Sequence, residues 1–169
     1  MARAAFLFLA LIFCFHTTQA TWFCLRTNNK RVRIINPPTL FDPVPFGFSH
    51  IAVDTKNFVA HVAGQVAINQ TGAIIGDTLA EQLVETERNL LFALDAVEAD
   101  ISDITRVNAF ILNFDPRTDL STFMMTGKRL GSPVTTLIST GALAIEGLLV
   151  EIELDAVVSR SFVRRLICQ

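Results

Sequence analysis

Phe58 to Ala99 reads FVAHVAGQVAINQTGAIIGDTLAEQLVETERNLLFALDAVEA, and it holds a strand, a turn and a capped helix in succession. From Phe58 to Ile68, alternation puts Phe58, Ala60, Val62, Gly64, Val66 and Ile68 on one face of an extended chain. Asn69 to Gly72 supplies the residues that end a strand, because Asn side chains bond their own backbone and Gly accepts positive φ. Thr78-Leu79-Ala80-Glu81 is a capping box, with Thr78 as N-cap and Glu81 reaching back to it. The helix it opens runs to about Ala99. Leu79, Leu83, Thr86, Leu90, Leu94 and Val97 form its apolar stripe, and Glu81, Glu85 and Arg88 its wet side.

On either side of this unit the pattern continues. Phe48 to Val53 is a strand, preceded by Pro37, Pro38, Pro43 and Pro45, which keep the approach extended. Ile104 to Leu112 is a strand with apolar residues on both faces. Asp119 to Leu130 is a shorter helix, and Val134 to Ser139 and Leu148 to Val158 are the last two strands. The order β-β-α-β-α-β-β gives an α+β domain, an antiparallel-rich mixed sheet with two helices on one face. Two helices cover one face only, so strands apolar on both faces call for a second cover, and self-association supplies it.

The chain of 169 residues is 51% hydrophobic, but the excess is localised. Met1 to Ala20 has one early Arg3, an apolar run from Ala4 to Phe15, and small residues Thr18 and Ala20 at the spacing of a signal-peptidase site. The run falls short of the roughly 20 residues a membrane-spanning helix needs. A secretory leader over 1–20 follows, with an uncleaved anchor or a misplaced start, and hence a cytoplasmic protein, as the alternatives. Residues 21–33 form a flexible basic lead-in, 34–158 the domain, and 159–169 a basic C-terminal tail. Removal of the leader leaves Cys24 and Cys168, one near each end; in an oxidising compartment they would pair, and two unpaired thiols on frayed tails is the competing reading. Asn69-Gln70-Thr71 is an N-glycosylation acceptor triplet in the turn after the second strand.

Charge is segregated. All 16 acidic residues lie between Asp42 and Asp155 with six basic ones (Lys56, Arg88, Arg106, Arg117, Lys128 and Arg129), a net −10. Arg26, Lys30, Arg31, Arg33, Arg160, Arg164 and Arg165 flank this acidic core. No aromatic residues interleave with the basic flanks, and an acidic core argues against nucleic acid as ligand. No histidines and carboxylates stand at metal-ligand spacing, so no metal or cofactor is expected, and His50 and His61 read as packed or surface side chains.

Several short motifs occur in a fixed order: Asn36-Pro37-Pro38, Phe46-Gly47-Phe48-Ser49-His50, Ala63-Gly64-Gln65, Gln82 and Asn89 on the helix, Pro133-Val134-Thr135-Thr136-Leu137, and Val150-Glu151-Ile152-Glu153. Together they resemble the Rid (reactive intermediate deaminase, YjgF-type) family. The resemblance implies a chorismate-mutase-like fold and a homotrimer with clefts between subunits, in which many members hydrolyse 2-imino acids to 2-keto acids and ammonia. It makes Glu151 the catalytic residue that positions water, and Phe48, Ala63, Gly64, Thr135 and Leu137 the substrate-binding positions. Two departures stand out. Thr135 occupies the place of the arginine that grips the substrate carboxylate, and Phe48 that of a tyrosine.

A threonine hydroxyl cannot neutralise an anion, and a charge-assisted hydrogen bond contributes about 1.5–3 kcal/mol. The expected ligand is therefore a neutral imine or enamine rather than a 2-imino acid. Three functions stay open: an imine or enamine hydrolase, a small-molecule-binding trimer that has lost the chemistry, and an interaction protein. Arg106 is the basic residue that could replace the missing arginine if it reached the cleft.

Overall fold

The computed structural model describes residues 31–168. Six strands and three helices follow in the order β1 (Val32–Ile35), β2 (Ile51–Asp54), β3 (Val59–Val66), α1 (Leu79–Asp95), β4 (Ile104–Leu112), α2 (Leu120–Arg129), β5 (Val134–Thr140), β6 (Val150–Val157) and α3 (Arg160–Cys168). They build one sheet in the order β1-β2-β3-β6-β4-β5. Every pairing is antiparallel except β4 with β5, which α2 joins as a crossover. The α+β reading and its antiparallel-rich sheet stand.

Alternation along the central strands sets the core. Ala60 and Val62 of β3, Val107, Ala109 and Ile111 of β4, and Val150, Ile152, Leu154 and Ala156 of β6 are all buried. Against them α1 lays Leu83, Leu90, Ala93 and Leu94, with Val97 just beyond its end. The Thr78–Glu81 capping box closes as expected: Glu81 N donates to Thr78 Oγ1, and Thr78 N donates to the Glu81 carboxylate. Glu85 differs from expectation. It is buried at 6% exposure, held by Arg88 at 3.1 Å, because α1 sinks deeper than a single stripe requires.

Gln82 and Asn89 are buried as well, and each serves the backbone of a loop. Gln82 Nε2 donates to the Gly76 and Gly147 carbonyls and its Oε1 accepts from Leu149 N. Asn89 Nδ2 donates to the carbonyls of Val66 and Ile68. Two helix amides thus satisfy loop groups that would otherwise be buried without partners.

Both ends of the domain are more regular than the sequence suggests. The last residues of the expected lead-in, from Val32, join β1 at the sheet edge, where Val32 to Ile35 pair with Asp54 to Ile51. The expected basic tail folds as α3, giving three helices rather than two. Ser159 Oγ accepts from Phe162 N and caps it, Phe162 and Val163 enter the core, and Leu166 and Ile167 pack behind them. Arg160, Arg164 and Arg165 form its exposed side. The charges that read as a tail are the outer face of an amphipathic helix.

Cys168 ends α3 as a disulfide-bonded residue. Cys24 and the leader lie outside the described residues, so their expected pairing and cleavage fall there too. Among the described residues no helix is long and apolar enough to cross a membrane.

Candidate functional site

The sheet face opposite the helices carries the polar side chains. On β6, Glu151, Glu153 and Asp155 alternate with the buried Val150, Ile152 and Leu154 and so project to that open face. Cross-strand neighbours occupy two of the three carboxylates. Asn108 Nδ2 donates to Glu153 Oε1 at 2.8 Å, and His61 Nδ1 lies 2.7 Å from Asp155 Oδ1. Glu151 stands opposite Phe110 in the register, and no hydrogen bond from the described residues reaches it. Glu151 is thus the carboxylate left available.

Gly64 explains how Glu151 is seated. The β3–β6 register shifts between Val62 and Gln65, a bulge that breaks the alternation expected through Ile68. Gly64 therefore leaves the core face it was expected to share and turns toward Glu151. A Cβ there would lie 1.9 Å from Glu151 Oε1 and 2.7 Å from its Cγ, so only glycine lets the carboxylate lie across the strand. Half-buried in this position, the Glu151 carboxyl is pushed above the ordinary glutamate range, first by desolvation and then by the neighbouring Glu153 charge.

Behind the bulge a small network holds the strand in place. Gln65 Nε2 donates to the Ala63 carbonyl at 3.0 Å and reaches His50 Nδ1 at 3.2 Å, while His50 Nε2 bonds the Phe41 carbonyl at 2.8 Å. One ring nitrogen accepts and the other donates, which is the neutral imidazole, and burial holds the His50 pKa down. Phe41 packs edge-on against Phe46, Phe48 and His50 at centroid distances of 6.1, 5.9 and 5.0 Å. Phe46 and Phe48 remain 70% and 38% exposed, a partly open aromatic surface.

Ala63 lines a cavity of about 390 Å³ on the open face, with Ser49, His61, Arg106, Asn108 and Glu153 among its walls. Arg106 forms none of the ion pairs among the described residues and sits four residues along β4 from Phe110, about 13 Å at the usual strand rise. Across the sheet it pairs with Val134 of β5 and Asp155 of β6, whereas Glu151 pairs with Phe110. Arg106 lines this cavity, and Glu151 is not one of its walls.

Thr135 and Leu137 are placed elsewhere. Their parallel partners are Val107 and Ala109, both buried on the helix side, so they face the helix layer while Glu151 faces away. Leu137 packs on the core, and Thr135 Oγ1 donates to the Pro133 carbonyl at 3.0 Å. Within one chain the structure joins Glu151 with Gly64 and sets Ala63 beside them, but it does not bring Thr135 or Leu137 to them. Sequence reading missed Asn108, the His61–Asp155 pair and the Gln65–His50 network, because their partners are fixed by register and not by spacing. Among the described residues no group of three His, Cys, Asp or Glu could hold a metal.

The family model described as Endoribonuclease L-PSP matches residues 43–158. Among solved structures, YyfB from Yersinia pestis, a protein of unknown function of the conserved Rid family, is 32% identical, with 76% of this chain and 100% of that one covered at a TM-score of 0.57. A member of the highly conserved YjgF family from Mycobacterium tuberculosis is 25% identical over 75% of this chain and 99% of that one, TM-score 0.58. Yeast Mmf1 shares the fold at 16% identity, TM-score 0.65, over 76% and 99% of the two chains. No curated protein matches.

Proposed function

Since the chain belongs to the Rid/YjgF family, we propose that it hydrolyses reactive imines or enamines to a carbonyl compound and ammonia, with Glu151 handling the water. The observation that carries this is the Glu151 carboxylate, unpartnered among the described residues, lying over Gly64 with its pKa raised. A base whose pKa moves toward neutrality is better matched to proton transfer than an ordinary surface glutamate. Water adds to the C=N carbon as its proton passes to Glu151 and the nitrogen is protonated from solvent. The carbinolamine nitrogen then takes the proton held by Glu151 and leaves as ammonia, while the C=O bond forms and the hydroxyl proton returns to solvent.

The site is completed by further copies of the chain. Thr135 and Leu137 lie across the sheet from Glu151, so they line the same cleft only if a neighbouring chain brings them. The open face supports this arrangement, since Ile34, Val134, Ile138 and Val157 are exposed beside the polar row. A homotrimer, as the family resemblance implies, closes such contacts by symmetry.

The ligand is uncharged at the reacting end. Thr135 presents a hydroxyl already committed to Pro133, and Phe48 has no hydrogen-bond donor, so neither neutralises a carboxylate. That same Thr135 favours a second reading, a trimer that binds a small molecule without turning it over.

The test is imine hydrolysis by the wild type, Glu151→Gln and Thr135→Arg, on 2-imino acids and on imines without a carboxylate. The proposal expects wild-type turnover of carboxylate-free imines, lost about 10²–10⁴-fold in Glu151→Gln. It also expects Thr135→Arg to extend activity to 2-imino acids. If no form turns over any imine, the binding reading replaces it.

A further inference from the structure

We infer that Asn69, partly exposed at the start of the turn in the hairpin that follows β3, is a site of N-linked glycosylation. Ile68 and Ile74 bridge the base of this hairpin, and within it Asn69 N donates to the Ala73 carbonyl while Gly72 N donates back to the Asn69 carbonyl. The two ends of the Asn69 side chain are used differently. Its Oδ1 accepts from Thr71 N at 3.0 Å, Thr71 Oγ1 at 2.8 Å and Ala73 N at 3.0 Å. Its Nδ2 makes no hydrogen bond among the described residues and is not shut off from solvent.

Gln70 to Ala73 are exposed, and a carbon added at Gly72 would meet nothing within 4 Å. The acceptor nitrogen is therefore the free end of an otherwise anchored side chain, beside the exposed residues Gln70 to Ala73. The co-substrate is a lipid-pyrophosphate-linked oligosaccharide. Nδ2 forms a bond to the sugar C1 as the C1–O bond to the pyrophosphate breaks, and Nδ2 gives up one proton to the transferase. The hairpin begins three residues after Val66, the cross-strand partner of Glu151, so an attached glycan confines copy-to-copy contacts to the sheet face and away from this tip.

The inference rests on the reading of Met1 to Ala20 as a secretory leader. Full-length chain is expressed in a eukaryotic secretory host, and the product is mapped by N-terminal sequencing and by mass before and after peptide N-glycosidase. The expected result is a start after Ala20 and one enzyme-sensitive glycan, with Asn69 converted to Asp by the enzyme. Asn69→Asp keeps the Oδ1 acceptor that holds the turn and removes Nδ2, so it is expected to fold, export and carry no glycan. Thr71→Ser retains a reduced fraction. A processed, exported chain with unmodified Asn69 overturns the site alone; a chain that keeps Met1 and stays in the cytosol overturns the site and the leader together.

Discussion

Gly64 and Glu151 interlock: the missing side chain of one is the space occupied by the carboxylate of the other. Gly64→Ala forces Glu151 to swing away, which its flexible stem allows. Hydrolysis is expected to fall steeply while the melting temperature changes little, and equal losses of both would assign Gly64 to stability instead. Glu151 itself carries a sign that can be worked out. Its folded pKa lies above its unfolded value, so the proton is held more tightly by the fold. The stability this contributes is present below the unfolded pKa and is lost as pH rises through the folded one. Glu151→Gln should therefore lose activity at neutral pH without losing thermal stability. The wild-type rate should rise with pH along a limb whose midpoint lies above the ordinary glutamate value; a limb at or below that value would remove Glu151 as the base.

At the scale of elements, the helices differ in how they are fastened. α1 is tied to the loops before it and before β6 by Gln82, which satisfies three backbone groups, two carbonyls and one amide. Gln82→Ala strands those groups, at about 1–3 kcal/mol for each one left buried without a partner, and denaturant unfolding should report a large loss. α3 is fastened by apolar contact, with Phe162 at 7% exposure and Val163 at 2%. Phe162→Ala is expected to cost about 3–5 kcal/mol in the same measurement. Were α3 only a tail, the substitution would change nothing.

At the scale of the whole molecule, one sheet face is covered by three helices and the other carries exposed Val134 and Ile138 beside a row of polar groups. If copies of the chain meet across that face, a charge placed in its apolar part must be desolvated without a partner. Ile138→Lys should then shift the mass in sedimentation toward the monomer and abolish hydrolysis in the same step, since within one chain Thr135 and Glu151 lie on opposite faces. An assembly of unchanged mass and activity would move the contact elsewhere.

The sequence by itself determined what depends on neighbours along the chain. Residues 148–158 show as a strand in the chain's own pattern, the Thr78–Glu81 box started α1, and the ordered motifs pointed to the family. What it could not hold was anything set by pairing across the sheet. The bulge between Val62 and Gln65 turned Gly64 from the core to Glu151, and the parallel register of β4 with β5 set Thr135 on the far face. Strand order and register also gave Asn108 to Glu153 and His61 to Asp155, leaving Glu151 without a partner among the described residues. A one-residue shift in pairing reverses which face a side chain occupies. That shift costs nothing in local pattern, so only the packed sheet decides it.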